Sequence, residues 1–492
     1  MADSVITAQG EHRMLIDGKL VEAESGKTFE NEDPATEEII GTVADATTEE
    51  AGRAVAAARK AFDETSWSTD HAFRKRCLEQ LQAALEEAKE ELRQAIVAEA
   101  GSPILLTYTV QLDYPIEWLS HWAELAESYE YERPLPDIES FGGQHRGSLL
   151  AEPAGVVTAI TPFNFPLYLN IAKLGPALAA GCTVILKPSP YTPWSATILG
   201  RLVAEKTDIP AGVVNVVTSS DAATAEALTI DPRVDMVSFT GSTSTGRKIM
   251  AAAAETVKKV QLELGGKSAN IVLDDADLMT ALPLAAGWVC AHSGQGCGIY
   301  SRLLLPRDRY DEGVALMEMA FQNMAVGDPK DPATLQGPQI SAAQRDRVLG
   351  YIAKGQEEGA RLVVGGGIPE NLERGYYVQP TLFADVDPNS TVAREEIFGP
   401  VLCVIPFEDQ DDAVRIANDS IYGLTGNVWS ASEDRGLDVA RRIRAGSMSV
   451  NGAQWLDRTR PFGGYKQSGI GRENGMKGFE EFLETKVLAL PV

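Results

Sequence analysis

Cysteine and histidine are scarce in this chain, five of each in 492 residues. Cys77, Cys182, Cys290, Cys297 and Cys403 are odd in number, scattered, and nowhere spaced C-x-x-C. That argues against a disulfide framework and against a zinc site, and it predicts a reducing, cytoplasmic setting. So few histidines also argue against a His-based catalytic dyad, and no metal is expected. Long apolar runs are missing, since a bilayer span needs about 20 such residues. Met1-Ala2-Asp3-Ser4 lacks the basic and apolar regions of a signal peptide. Positive charge is short as well: 44 Lys and Arg stand against 70 Asp and Glu, for a net charge of −26. A surface this acidic repels nucleic acid and anionic membranes, so neither is expected as a partner. It leaves room for a phosphate-bearing cofactor, which local donors can hold.

What is present reads as a globular α/β protein. Apolar residues make up 44% and charged residues 23%, and the length predicts two or three domains. Thr47-x-x-Glu50 is a capping-box pattern before an Ala/Val-rich helix. A longer helix follows, with Leu78, Leu81, Leu85, Leu92 and Ile96 on one face and Gly101 at its end. From about residue 155, short β runs (Gly155–Ile160, Thr183–Lys187, Gly212–Val217, Val234–Phe239) alternate with helical segments. Alternation of this kind implies a doubly wound parallel sheet, with ligands at the carboxyl ends of the strands. The loops there are Thr161–Pro166, Lys187–Pro190 and Thr240–Gly246; the last is expected to open a helix at Arg247 and to favour phosphate at that helix N-terminus. A second alternating region runs from Ser268 to about residue 465. The tail ends in a β run near Lys486–Leu490, which needs a sheet edge, either here or on another subunit.

Cys297 stands out. A helix-like run, Leu282–Val289, delivers the chain to Ser293-Gly294-Gln295-Gly296, and Cys297 then lies between Gly296 and Gly298. Flanking glycines predict open space around the thiol and a free backbone N–H beside it, as a nucleophile and a developing oxyanion require. A buried cysteine in a turn is the ordinary alternative, and the residues elsewhere decide.

Those residues are Pro162–Pro166, Lys187-Pro188-Ser189, Phe239-Thr240-Gly241-Ser242-Thr243-x-x-Gly246, Glu263–Ser268, Gly294–Cys297, Glu395–Pro400 and Pro461–Glu473. In this order they resemble the motifs of the aldehyde dehydrogenase superfamily over nearly the full chain. The resemblance implies a Rossmann-like NAD(P)-binding domain (residues 1–130 and 153–262) and a second α/β catalytic domain (263–465). It adds a small β oligomerisation element (131–152 and 466–492) that builds homodimers or homotetramers. It implies Cys297 as nucleophile, Asn164 and the Cys297 N–H as oxyanion donors, Glu263 as general base, and Lys173 and Glu473 as a proton path. Lys187 and Ser189, the Gly241, Ser242 and Gly246 region, and Glu396 with Phe398 are implied to hold the cofactor. The expected reaction oxidises an aldehyde to an acid through a thiohemiacetal and a thioester. CoA in place of water, or a non-catalytic protein on the same scaffold, are the alternatives. Pro190 stands where many NAD-preferring relatives carry glutamate, so NAD is expected and NADP is left possible. His292 stands where relatives often have asparagine and is given no role. Phe163, Phe165, Tyr168, Trp288, Trp455 and Phe462 are expected to line a tunnel for an apolar or aromatic aldehyde.

Overall fold

The computed structural model describes residues 10–492; the expectation drawn from Met1-Ala2-Asp3-Ser4 lies outside them. Five parallel strands form the middle of an eight-stranded sheet: Val156–Ile160, Thr183–Lys187, Val214–Val216, Met236–Thr240 and Lys259–Glu263. Val156–Ile160, Thr183–Lys187 and Met236–Thr240 are buried at every residue. This is why they read as continuous rather than alternating apolar runs: helices cover both faces. Three strands advance outward from Val156–Ile160, and the chain then returns to add Met236–Thr240 on its other side. That reversal is a topological switch point, where a crevice opens beyond the strand ends. Asn164 lies in the loop after one flanking strand, and Thr240 ends the other. Lys187 and Glu263 end the two neighbouring strands.

The second sheet has seven strands, with Ala269–Val272 and Arg302–Pro306 near its centre. All its pairings are parallel except that of Arg361–Val364 with Thr381–Ala384. The helix Leu278–Cys290 leaves this sheet and leads to Cys297. A third, three-stranded sheet joins Glu132–Ser140, Gly143–Pro153 and Leu483–Pro491. The tail therefore finds its edge in its own chain, in register from Leu483 opposite Pro153 to Pro491 opposite His145. Gly469–Ile470 pairs with Lys259–Glu263, at the edge of the first sheet.

The capping box at Thr47 forms: its hydroxyl accepts from the Glu50 N–H, and the Glu50 carboxylate accepts from the Thr47 N–H. Two local expectations change. The long helix is two, His71–Glu87 and Lys89–Ala100, broken at Ala88 (φ −90°, ψ 9°). No glycine or proline marks that break, so the apolar stripe ran through it unnoticed. Gly101 does end the second helix, in the left-handed region at φ +59°. The helix after Thr240 begins at Thr243, not Arg247, because the Ser242 hydroxyl caps it by accepting from the Thr245 N–H.

Candidate active site

A cavity of about 200 Å³ occupies the switch point and is closed on its far side by the second sheet's loops. Asn164, Gly241, Ser242, Glu263, Cys297, Glu396 and Phe398 all line it. Residues drawn from the length of the chain thus meet in one place.

Cys297 is half-buried, whereas the other four cysteines are buried. Desolvation pushes its thiol well above the usual thiol range, and the Glu263, Glu396 and Glu473 carboxylates push the same way; its own backbone N–H pulls slightly down. Both causes favour the protonated thiol. The expected open space holds on neither side: a Cβ at Gly296 would meet the Ile299 side chain at 2.9 Å, and one at Gly298 would meet the Trp455 ring at 3.2 Å. Gly266 is tighter still: a Cβ there would come within 2.6 Å of the Cys297 carbonyl. Glycine at 266 lets the two loops carrying the site close on each other.

Glu263 is buried, and neither carboxylate oxygen has a hydrogen-bond partner. An unpartnered buried carboxylate is costly to ionise. Burial, then the Glu473 charge, raises its pKa well above the usual carboxylate range, against a smaller pull from Lys173 and Arg472. Behind it, Lys173 Nζ donates to Glu473 Oε1 at 2.9 Å and to Ser238 Oγ at 3.0 Å, with both charged groups fully enclosed. Thr240 Oγ1 donates to the same Glu473 oxygen at 3.2 Å, and Glu473 Oε2 is left free. Lys173 and Glu473 do not line the cavity; they form the wall behind Glu263.

Asn164 is held at both ends. Its side-chain amide donates to the Gln295 carbonyl at 2.8 Å. Its own carbonyl accepts from Gln111 Nε2 at 2.9 Å and from His292 Nε2 at 2.7 Å. Neither His292 nor Gln111 carried a signal of this kind in the sequence. Lys187 is buried, and its ammonium donates to the Pro188 and Ser219 carbonyls, both at 3.1 Å; burial lowers its pKa to about 8. Ser189 Oγ accepts from the Tyr191 N–H within the same turn. Gly246 lies in the first turn of the Thr243–Ala253 helix rather than in the loop, and a Cβ there would meet Leu264 at 2.6 Å. Its smallness seats that helix on the sheet.

Glu396 Oε1 accepts from the Gly266 N–H at 2.9 Å, and burial raises its pKa to about 7. Phe398 has φ +61°, a strained backbone for an aromatic residue. Gln344 and Arg347, one turn apart on the Ala342–Glu357 helix, hold this segment by donating to the Phe398 and Glu396 carbonyls at 2.9 and 2.8 Å.

The aromatic residues divide into two groups. Phe163 packs edge-on against Phe398 and Tyr191, beside Glu396, and so leaves the expected tunnel for the other side of the cavity. Of the rest, Trp288 and Trp455 lie against Gly298, next to Cys297. Trp455 stacks on Phe462 at 5.1 Å and Trp288 on Tyr300 at 5.7 Å, while Trp118 meets Tyr168 edge-on at 5.9 Å. Trp455 Nε1 donates to the Tyr300 hydroxyl at 2.8 Å.

Among the described residues no helix is long and apolar enough to cross a membrane. The sequence model of the aldehyde dehydrogenase family matches residues 20–488. A 3-succinoylsemialdehyde-pyridine dehydrogenase of Pseudomonas sp is 46% identical over 96% of this chain and 97% of its own. A putative aldehyde dehydrogenase of Bacillus subtilis is 42% identical over 97% of this chain and 95% of its own. Among solved structures, a Mycobacterium tuberculosis aldehyde dehydrogenase complexed with NAD+ superposes with a TM-score of 0.94 at 43% identity, covering 98% of this chain and 99% of that one. A mutant of aldehyde dehydrogenase C from Pseudomonas syringae, complexed with NAD+ and octanal, gives 0.92 at 41% identity, covering 99% and 97%. A switch-point cavity that ends on a half-buried cysteine, in a chain matched from end to end by such relatives, has one assignment: the protein belongs to the aldehyde dehydrogenase family.

Proposed function

We propose that this enzyme oxidises an apolar or aromatic aldehyde to its carboxylic acid with NAD+, through a thioester on Cys297. The observation that carries the reading is the wall of one cavity. It holds a half-buried thiol, a buried carboxylate with no partner and a side-chain amide. The thiol passes its proton to the Glu263 carboxylate as sulfur attacks the carbonyl carbon, forming a thiohemiacetal. Asn164 has a second amide hydrogen beyond the one donated to Gln295, and with the Cys297 N–H it meets the developing oxyanion. After oxidation to the thioester, Glu263 draws a proton from water, hydroxide adds to the acyl carbon, and the C–S bond breaks; the departing sulfur takes the acid proton, leaving carboxylate and thiol. Lys173 and Glu473 carry the proton away from Glu263.

The residues present fit NAD+. Gly241 and Ser242 open a helix N-terminus onto the cavity, and Lys187 has a third ammonium hydrogen after its two carbonyl contacts. Glu396 and Phe398 offer a ribose acceptor and a ring face at the Cys297 end. NAD+, when bound, supplies the acceptor for the hydride that leaves the thiohemiacetal carbon. The chain divides, on this reading, into a cofactor part (1–130 and 153–262), a catalytic part (263–465) and an oligomerisation part (131–152 and 466–492), with Gly469–Ile470 of the last range paired to the first sheet. The exposed apolar side chains of the three-stranded sheet, Ile138, Val487 and Leu490, support a homodimer or homotetramer.

For the substrate, the aromatic walls around Trp288, Tyr300, Trp455 and Phe462 favour an apolar or aromatic group. The Pseudomonas relative named for a pyridine semialdehyde and the octanal complex support the same class. The test is NADH release over aliphatic, aromatic and acidic aldehydes, with and without CoA. The proposal expects the apolar and aromatic members to turn over fastest and CoA to change nothing. Strict CoA dependence, or activity confined to charged aldehydes, would contradict it.

Two further results are expected. Pro190→Glu restores a carboxylate beside Lys187. It adds repulsion of about 2–4 kcal/mol against a 2′-phosphate before salt screening, and should raise the NAD-over-NADP ratio of kcat/KM at fixed ionic strength. An unchanged ratio would show that this turn does not reach the ribose. Lys173→Met leaves Glu473 buried without its partner and should cost about 3–5 kcal/mol of stability in urea unfolding. Lys173 also pulls the Glu263 pKa down, so its loss should move the acid limb of kcat to higher pH. A limb that stays in place would separate Lys173 from the base.

A further inference from the structure

We propose that His292 is a positioning residue for Asn164: its ring holds the Asn164 main chain so that one side-chain amide hydrogen stays aimed at the oxyanion. This rests on the reading of Asn164 given above.

His292, Ser293 and Gly294 are three successive residues in the left-handed region, at φ +50°, +57° and +70°. A histidine and a serine are costly there, and the conformation persists only because the surroundings fix it. Gln339 Nε2 donates to the Ser293 carbonyl at 2.8 Å and to its hydroxyl at 2.9 Å. Gln295 Oε1 accepts from the Ile340 N–H at 2.9 Å. The loop is thus pinned from outside, and the turn directs the His292 ring inward.

There the ring closes a circuit. His292 Nε2 lies 2.7 Å from the Asn164 carbonyl, which can only accept, so Nε2 carries the hydrogen. Asn164 Nδ2 in turn donates to the Gln295 carbonyl at 2.8 Å. Gln295 is three residues along the same pinned loop, and its N–H donates back to the His292 carbonyl at 3.1 Å. Two hydrogen bonds in opposite senses therefore tie Asn164 to the loop that carries Cys297. Each takes a group that leaves the second Nδ2 hydrogen free. Phe165 lies edge-on to the ring at 5.5 Å and fixes its plane. Nδ1 is buried with no partner, so a second ring proton has nowhere to go, and burial lowers the His292 pKa to about 4. Burial therefore favours the neutral ring, which donates through Nε2 alone.

The geometry links nucleophile and oxyanion donor through one side chain. Loss of the ring hydrogen bond leaves Gln111 as the sole side-chain donor to the Asn164 carbonyl and frees one end of the clamp. A misplacement of about 1 Å at a reacting group can cost about 100-fold in rate.

The test is single-turnover NADH formation with saturating NAD+ and aldehyde, in His292→Leu, His292→Gln, Asn164→Ala and the double variant His292→Leu/Asn164→Ala. His292→Leu should slow this step by about 10- to 100-fold, with NAD+ affinity unchanged. His292→Gln, whose amide can reach the Nε2 position, should recover most of the rate. The double variant should be no slower than Asn164→Ala, because the ring acts through that amide. Gln111→Met, which removes the other donor to the same carbonyl, should slow the same step and carries the test if His292→Leu does not fold. A fast His292→Leu overturns the proposal alone. So does a double variant whose two losses multiply, or a glutamine that gives no rescue. A fast Asn164→Ala overturns the oxyanion reading itself, and the proposal with it.

Discussion

Cys297→Ala should fold, bind NAD+ with unchanged affinity, and lose aldehyde oxidation by about 10⁴-fold or more, as removal of an essential nucleophile does. Folding is expected to survive because the thiol is half-buried at a cavity wall and alanine removes only one atom. Cofactor affinity should survive because Lys187, Ser242, Glu396 and Phe398 are set by other elements: a strand end, a helix N-cap and a loop held by Gln344 and Arg347. Steady-state NADH formation and a fluorescence titration of NAD+ measure the two halves separately. Retained turnover would remove Cys297 from the mechanism; lost binding would place the cysteine in the cofactor site instead.

Glu263→Gln should separate the two halves of the reaction in time. Glutamine keeps the size and loses the basicity, so the thioester forms and then waits for water. The expected trace is a burst of NADH near one equivalent per site, followed by turnover slowed by about 10²- to 10⁴-fold. The pH dependence gives a second reading. The Glu263 pKa is raised well above the usual carboxylate range, first by burial and then by the Glu473 charge. Its basic form therefore accumulates only as pH rises through that raised value. Wild-type kcat, where hydrolysis limits, should climb with pH on its acid side, and Glu263→Gln should flatten that limb. A variant with wild-type turnover and no burst would leave the hydrolysis without Glu263.

Much of this site was legible in the chain because the residues that make it sit in short, dense motifs. Strand ends with buried β-branched runs, the Thr47 capping box and the glycines near Cys297 announce themselves locally. Their consequences over long separations do not. Lys173 and Glu473 are 300 residues apart, and only the fold makes them an enclosed ion pair. His292 and Asn164 are separated by 128 residues, so a residue with no local pattern became half of a clamp. The open space expected on both sides of Cys297 is filled on one by Ile299 and on the other by Trp455, which arrives from another loop. The resemblance puts Gly246 in the pyrophosphate region, and the N-cap at Ser242 places it inside the helix, packing on Leu264. The break at Ala88 had no chemical marker at all. Phe163 and Trp455 are alike in sequence terms, and only their neighbours separate them: Phe163 lines the cavity beside Phe398, whereas Trp455 stacks on Phe462 outside its lining.

The central claim, an acyl group carried on one sulfur, has a direct test in mass spectrometry of acid-quenched Glu263→Gln. The variant is mixed with NAD+ and an aromatic aldehyde, stopped after the burst, and digested. The account predicts one added acyl group per chain, located on the peptide containing Cys297 and absent from Cys290, with its amount matching the NADH formed. NADH released with no acylated peptide, or with the acyl group on another residue, would contradict it.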